Sequence, residues 1–487
     1  MFKFLNFETK NINFAVLILG VCSFISALLG FIRDRLLAGK FGLGKELDIY
    51  YASFKIPDFI SMTLIVGALG SAILPIFSEK LVKSKKSAFW YLSNLLNLFL
   101  FFLILISTIL FFLTPKLIFF VAPGFFGEKK EMTILLTRIL LLSPIILGIS
   151  TILSGVLRIF NRFLITALSP ILYNLGIIFG ILFFLPYFGL PGLAFGVIFG
   201  CLLHLLIQLP ILIKLGFRPK KVFNIFDKDF IETIKLMIPR VLGLGANQVN
   251  LIIINALASK LGSGSISALN LSENFVRPIL TFFGASFSSA SFPFLSLNFA
   301  KRDFKNFKKL FFSVFKKTLI FILPISFSFF IFRNLIVEIV LKTGKFDLAD
   351  VQLTGACLGM FSLGIFAQSL NLLFAKGFYA QKDSKTPALI NILGTVLNLI
   401  FCLFFIWLLS FSNPFKNFIT SVLNLKDLKN FKVIALPLSF SLSCIFQFFC
   451  FFVIFSRKIK FIKNLNPPFN NEKISQVDNN KKNNYYN

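Results

Sequence analysis

Long apolar runs separated by short polar breaks dominate the chain. Residues 88 to 114, AFWYLSNLLNLFLFFLILISTILFFLT, carry no charge at all. At about 1.5 Å of rise per residue, roughly 20 such residues cross the hydrocarbon core of a bilayer, and only helices or closed barrels can do so. The runs are too long and too evenly apolar for barrel strands, which would alternate over about 10 residues. The pattern predicts an all-α polytopic membrane protein with about twelve transmembrane helices. Their expected limits are 12–32, 50–77, 88–114, 132–157, 163–185, 190–214, 231–259, 265–297, 310–332, 352–375, 386–410 and 433–456. The first run is long and no small-residue cleavage site follows it, so it reads as a retained helix rather than a signal peptide.

Composition agrees with the pattern. Of 487 residues, 56% are hydrophobic and only 14% charged, against about 25% charged in soluble domains. The net charge of +30 would suit a nucleic-acid binder, but its distribution points elsewhere. With a cytoplasmic N-terminus, the inward loops hold Lys80, Lys83, Lys85 and Lys86, then Arg158 and Arg162, then Arg218, Lys220 and Lys221. Lys301, Arg302, Lys305, Lys308, Lys309, Lys382 and Lys385 follow, and Arg457, Lys458, Lys460 and Lys463 leave the last span. The outward loop at 186–189 has no charge and that at 260–264 only Lys260, although 411–432 carries several lysines. This is positive-inside asymmetry, with both termini cytoplasmic and the basic residues facing anionic membrane lipids. No loop is long enough for a basic folded domain, so nucleic acid is not an expected partner. Residues 464–487, rich in Asn and Lys, read as a disordered polar cytoplasmic tail.

Catalytic and metal chemistry find no foothold. All six cysteines fall inside apolar spans and none makes a metal-like pair. The lone His204 also lies in a span, where it reads as a packed or helix-bonding side chain. No phosphate-binding glycine loop, nucleophile elbow or zinc motif occurs, so the chain reads as a non-enzyme without a cofactor or an attached ATPase.

A weak internal repeat adds architecture. SAILPIFS at 71–78 matches SASFPFLS at 289–296, and SPILYN at 169–174 matches TPALIN at 386–391, in the same order and at nearly the same offset. Six helices per half, an even number, give both halves the same orientation. The expectation is two parallel six-helix lobes around a central cavity, 1–225 and 226–463.

Charges inside the spans then have somewhere to face. A charge at mid-span costs about 2.5–3.5 kcal/mol on insertion scales, so such residues usually meet a cavity or a partner. The candidates are Arg33, Asp34 and Arg35, then Asp48, Lys55 and Asp58, Arg138, Lys235 and Arg240, and Glu273 with Arg277. Arginines along a path suit an anionic substrate, because guanidinium pairs in a fork with phosphate oxygens. Anchoring in headgroups is the alternative for Arg35, Lys55 and Lys235.

At this point a family resemblance emerges. GFIRD at 30–34, the pattern from Asp48 to Pro57, APGF at 122–125, NRF at 161–163, TGKF at 343–346 and above all KGFYAQKDSKTP at 376–387 resemble the MurJ family, within the multidrug/oligosaccharidyl-lipid/polysaccharide exporter superfamily. The resemblance implies a flippase that moves lipid II, an undecaprenyl-diphosphate-linked peptidoglycan precursor, from the inner to the outer leaflet of the bacterial cytoplasmic membrane by alternating access. It implies a lipid-linked anionic substrate, and cell-wall synthesis proteins as further partners. Arg33, Asp34 and Asp48 match family positions, and Arg277, Arg240, Arg138 and Glu273 complete the expected substrate-binding set. Where the family pattern has arginines, this chain has Ala27, Ser61, Met62 and Asn274. The family also has two further C-terminal helices, whereas a polar tail follows the last apolar run here. Two other readings share the same residues: a same-fold exporter of another polyprenyl-linked glycan or amphiphile, and a non-transporting membrane scaffold.

Overall fold

A computed structural model of the chain describes residues 12–65, 73–425 and 430–465. The side chains of some residues within these stretches, Arg240 among them, lie outside the description, as does the predicted tail beyond 465. The described residues are helical and contain no strand. In chain order the helices are α1 Ile12–Phe41, α2 Lys45–Ser53, α3 Lys55–Ile60, α4 Leu74–Lys83, α5 Lys85–Val121, α6 Gly127–Leu140 and α7 Leu142–Ile159. Then come α8 Phe163–Phe179, α9 Leu185–Phe188, α10 Leu190–Leu206, α11 Leu209–Lys214, α12 Lys228–Ser259, α13 Ser265–Ile279 and α14 Ser286–Ala300. The last are α15 Phe304–Ile331, α16 Arg333–Leu341, α17 Leu348–Ala380, α18 Lys385–Leu408, α19 Pro414–Leu423 and α20 Ala435–Leu465.

Among the described residues, 10 helical stretches are long and apolar enough to cross a membrane. The chain is an all-α, multi-pass membrane protein. Two expected spans differ in form from the others. Residues 50–77 are divided among α2, α3, a π-helical turn at Ser61–Ile65 and α4, with 66–72 outside the description. Residues 231–259 lie in α12, a single helix of 32 residues whose first turns carry Lys228, Asp229, Glu232 and Lys235. Those charges are why its apolar pattern is weak. Asp227 caps α12, its carboxylate accepting from Phe230 N–H at 3.1 Å.

The chain forms two compact units. One comprises Met1–Pro278, Phe327–Leu363 and Thr395–Leu442; the other comprises Ile279–Ser326, Gly364–Gly394 and Ser443–Asn487.

In the first unit, α8 packs on α10 and on α1. Gly176 of α8 and Gly180, which opens the π-helical turn after it, face Gly200 and Gly196 of α10, and a Cβ at any of the four would run into the backbone opposite. In lipid, where apolar surface alone does not drive helices together, such small residues let backbones approach and gain packing. A second core gathers Phe77, Tyr91, Leu92, Leu157 and Phe230. The start of α12 joins it: Tyr91 and Thr233 hydroxyls lie 2.7 Å apart. Prolines inside helices leave carbonyls without donors, and neighbouring groups supply them. Ser143 Oγ donates to Leu140 O at 2.7 Å, the carbonyl that Pro144 cannot serve.

In the second unit phenylalanines do the packing. Phe311, Phe374, Phe378, Phe451 and Phe455 are buried together, with Phe311 and Phe455 ring centroids 4.2 Å apart. The KDSKTP stretch closes this bundle. Lys382 takes a left-handed backbone at φ 58. Asp383 then caps α18, accepting from Thr386 N–H at 3.0 Å and from Lys458 Nζ at 2.6 Å.

Candidate functional site

The end of α1 reads FIRDRLL. At about 100° per residue, Arg33, Asp34 and Arg35 leave the helix in three directions. Asp34 turns inward and is buried. Its Oδ1 accepts from Arg33 Nε at 3.0 Å and Nη2 at 2.8 Å. Its Oδ2 accepts from Asn274 Nδ2 of α13 at 2.8 Å. Arg33 also reaches Asn174 of α8, Nη1 to Oδ1 at 3.4 Å. Asn174 is itself held by donating to Ser26 O at 3.2 Å and to Ser26 Oγ at 3.1 Å. A buried carboxylate is tolerated only when its oxygens are met by donors and a cation, and both oxygens of Asp34 are met. Tyr50 and Tyr51 stand in the field of Arg33. The Tyr51 hydroxyl is buried with no hydrogen-bond partner among the described residues.

One turn along α13 a second set of charges gathers. Glu273 Oε1 accepts from Arg277 Nε at 3.1 Å and pairs with Nη2 at the same 3.1 Å. Lys55 Nζ donates to Asn270 Oδ1 at 3.1 Å. Asp58 is exposed and lies in the field of Lys55, Arg277 and Glu273. Asn270, Glu273, Asn274 and Arg277 are three or four residues apart in turn, so they share one face of α13. Arg33, Lys55 and Arg277 are matched by Asp34, Asp58 and Glu273, so the cluster is charge-balanced as it stands. Arg277 is the most accessible of its ion-paired members, its side chain 58% exposed.

Asp48 stands in another setting. It is fully buried, and its oxygens accept from Gly264 N–H at 2.8 Å, Ser267 N–H at 2.9 Å, Ser267 Oγ at 2.8 Å and Lys129 Nζ at 3.0 Å. It therefore caps the first turn of α13 from α2, where the helix dipole favours a negative charge. Nearby contacts join the same end of α1 to later helices. Arg35 Nη1 donates to Ile339 O and Val340 O, both at 2.8 Å, serving the last carbonyls of α16. Leu43 N–H donates to Asp350 Oδ2 at 2.9 Å, and Lys345 N–H to Gly39 O at 2.8 Å. TGKF at 343–346 sits against Gly39, where a Cβ would meet the Thr343 methyl at 2.6 Å.

Of the expected binding residues, Arg33, Asp34, Glu273 and Arg277 come together around α1 and α13. Asp48 is committed to the cap of α13. Arg138 is committed to α5, its Nε donating to Phe111 O at 3.2 Å. Arg240 lies in α12, and its side chain is outside the described residues. Sequence reasoning passed over Asn174 and Asn270 and saw Asn274 only as a missing arginine. The available signal was an asparagine inside an apolar helix, which must find a partner.

A sequence model of the family described as "Lipid II flippase MurJ" matches residues 37–475. The "Probable lipid II flippase MurJ" of Buchnera aphidicola subsp. Acyrthosiphon pisum is 32% identical over 379 residues, spanning 77% of this chain and 74% of that protein. The "Lipid II flippase MurJ" of Burkholderia cenocepacia is 26% identical over 393 residues, spanning 78% of this chain and 76% of its own. A solved lipid II flippase MurJ in an inward closed conformation is similar with a TM-score of 0.74 at 26% identity, covering 91% of this chain and 87% of that one. An inward-facing multidrug resistance MATE family transporter of the MOP superfamily shares the fold, with a TM-score of 0.72 at 14% identity over 92% of this chain and 99% of that one. With the family model spanning most of its length, the chain belongs to the MurJ lipid II flippase family.

Proposed function

We propose that this chain is a lipid II flippase, carrying the polyprenyl-diphosphate-linked precursor from the inner to the outer leaflet of the bacterial cytoplasmic membrane. One observation carries the reading: Arg33 and Asp34 of the first helix are bridged to Asn274 of α13, beside Lys55, Glu273 and Arg277. Charges held this way among membrane-crossing helices serve a polar cargo rather than a lipid-facing surface.

In this reading residues 1–225 and 226–463 act as two lobes, both termini are cytoplasmic, and the contacts of Asp48, Arg35 and Asp350 close the outer end. The headgroup arrives between the lobes from the inside. Its diphosphate competes with the carboxylates for Arg33 and Arg277, since guanidinium binds phosphate oxygens in the same forked geometry. The polyprenyl tail stays in lipid, where it is already solvated. Opening outward requires Asp48 to release the α13 cap, and the Gly264 and Ser267 groups must then find water. The membrane potential, worth about 2.3 kcal/mol per charge per 100 mV, is one available drive. Cell-wall synthesis proteins are the partners that such an activity would feed.

Complementation tests the reading. The chain is expressed in bacteria whose own lipid II flippase can be switched off, and growth and outer-leaflet lipid II are followed. Rescue that vanishes with Arg33→Ala at unchanged protein level is the expected result. Rescue that persists with Arg33→Ala and Arg277→Ala together would remove these residues from the mechanism. Failure of the intact, inserted chain to rescue would favour another lipid-linked cargo.

A further inference from the structure

The loop between α18 and α20 carries lysines against the charge asymmetry of the chain, and it contains the short helix α19. Both ends of α19 are firmly made. Asn413 Oδ1 accepts from Lys416 N–H at 2.8 Å, and Pro414 takes the first helical position. At the other end Asn424 turns left-handed at φ 56, and Leu425 N–H donates to Thr420 O at 2.8 Å. Arg333 Nη2 donates to Val422 O at 2.8 Å, fastening the last turn to the start of α16. The helix is thus held in one orientation, with Ile419, Thr420 and Leu423 buried beneath it. At about 100° per residue, the rest of its surface divides into two exposed flanks on either side of that buried face. Phe418 and Val422, one turn apart, make one flank, and Phe418 is 66% exposed. Asn417 and Ser421, also one turn apart and exposed, make the other. The approach to α19 is aromatic. Phe404, Trp407 and Phe411 are exposed and form a ladder from the end of α18 into the loop, with successive ring centroids 6.1 and 5.0 Å apart.

A helix wholly in water gains nothing by showing Phe418 and Val422 together on one flank. A helix wholly in hydrocarbon would strand Asn417 and Ser421. Lying along the boundary satisfies both flanks at once. We propose that α19 is an interfacial anchor that binds a lipid surface. Phe418 and Val422 enter the upper acyl region of the leaflet at which α18 ends, while Asn417 and Ser421 stay in water. The partner is phospholipid because the ladder through Trp407 and Phe411 carries the lipid-exposed side of a membrane span into this loop, and tryptophan is favoured where acyl chains meet headgroups. The contact of Arg333 passes the anchor on to α16, whose last carbonyls accept from Arg35 of α1. The anchor therefore sets the level of α16, and with it the end of α1, against the bilayer. The claim stands independently of the flippase reading, because its test measures depth in the membrane and not transport.

The test uses the purified full chain in phosphatidylcholine vesicles. Its two tryptophans, Trp90 and Trp407, are changed to Phe, and Phe418→Trp or Asn417→Trp is added as the only indole. Fluorescence is quenched either by phosphatidylcholine brominated high on its acyl chains or by iodide in the buffer. The brominated lipid should quench Phe418→Trp several-fold more strongly than Asn417→Trp, and iodide should show the reverse preference. Equal quenching of the two variants by both agents would overturn the anchor. So would a Phe418→Trp indole shielded from lipid and iodide alike, which would mean that protein, such as a second copy of the chain, covers this flank. Should the Trp90→Phe background fail to fold, Phe418→Cys and Ser421→Cys in the otherwise native chain make the same comparison. In vesicles an impermeant maleimide should then label Ser421→Cys several-fold faster than Phe418→Cys, and equal rates would overturn the proposal.

Discussion

Arg138 of α6 donates its Nε to the carbonyl of Phe111 at 3.2 Å, and Pro115, four residues later in α5, is why that carbonyl is free. A helix would normally serve Phe111 O through the N–H at position 115, which proline lacks. The guanidinium also lies over the Phe111 ring, 4.7 Å from its centroid. An arginine deep in a membrane helix thus has a structural task.

Arg138→Leu should therefore destabilise the protein by about 1–3 kcal/mol, the range for leaving a polar group unsatisfied. In a Pro115→Ala background the loss should shrink, because the main-chain N–H is restored. Thermal unfolding of the four proteins of this cycle measures the coupling. Equal losses in both backgrounds would show that Arg138 acts by another route.

The Arg33–Asp34 pair predicts a different non-additivity. Arg33→Ala alone strands a buried carboxylate, and removing one partner of such a pair typically costs about 3–5 kcal/mol. Arg33→Ala with Asp34→Ala should be more stable than Arg33→Ala alone, yet still fail to support growth when the host flippase is withdrawn. Recovery of growth together with stability would mean that the pair only holds the fold.

Asp48 should govern access from the outside. Asp48→Ala removes the acceptor for Gly264 N–H, Ser267 N–H and Lys129, so the start of α13 should open more often. Ala268, fully buried in this structure, is the reporter. Ala268→Cys should react with a membrane-impermeant maleimide several-fold faster in the Asp48→Ala background. The native cysteines add little background, since all but Cys450 are buried. Unchanged labelling would separate Asp48 from the gate.

The cap of α18 should be acid-sensitive. Partial burial disfavours the charge of Asp383, but hydrogen bonds from Lys458 and Thr386 outweigh it and hold the carboxyl at about 2. The ordinary aspartate value is about 3.9. A depressed folded value stabilises above the unfolded value, and that stability is lost as pH falls from about 4 towards 2. The melting temperature of wild type should exceed that of Asp383→Asn above about pH 4, and the gap should close as pH approaches 2. A gap independent of pH would mean that the carboxylate charge contributes nothing there.

The glycine seam sets a packing limit. Gly180→Leu would drive a side chain into the backbone of Gly196, and α8 and α10 would have to separate. Overpacking typically costs about 1–3 kcal/mol and can exceed that against backbone. Expression and monodispersity in detergent should fall sharply, whereas Gly20→Leu, with open space around it, should be tolerated.

Much of this architecture was legible in the sequence. Uncharged runs long enough to span a bilayer dictated membrane helices, because lipid offers backbone groups no other partners. The Glu273 and Arg277 pair was legible as well, since residues four apart share a helix face. TGKF and KGFYAQKDSKTP marked the family, and the fold shows what they do: one seats against Gly39, the other caps α18. Two expected spans carried weaker signals, since charges open α12 and the second is broken into short pieces.

Sequence could say that Arg33, Asp34, Asp48, Arg138 and Arg277 were unusual where they stood, but not what each one met. That depended on tertiary structure. Asn274 reaches Asp34 across 240 residues of chain, and Gly264 reaches Asp48 across 216. Local periodicity fixes which face a side chain occupies. The helix opposite that face is decided by the packing of the whole bundle, and no local pattern encodes it. Two arginines that look alike in sequence thus differ in kind: Arg138 serves a carbonyl that a proline orphaned, and Arg277 pairs with Glu273 in the charge-balanced cluster beside Asp34.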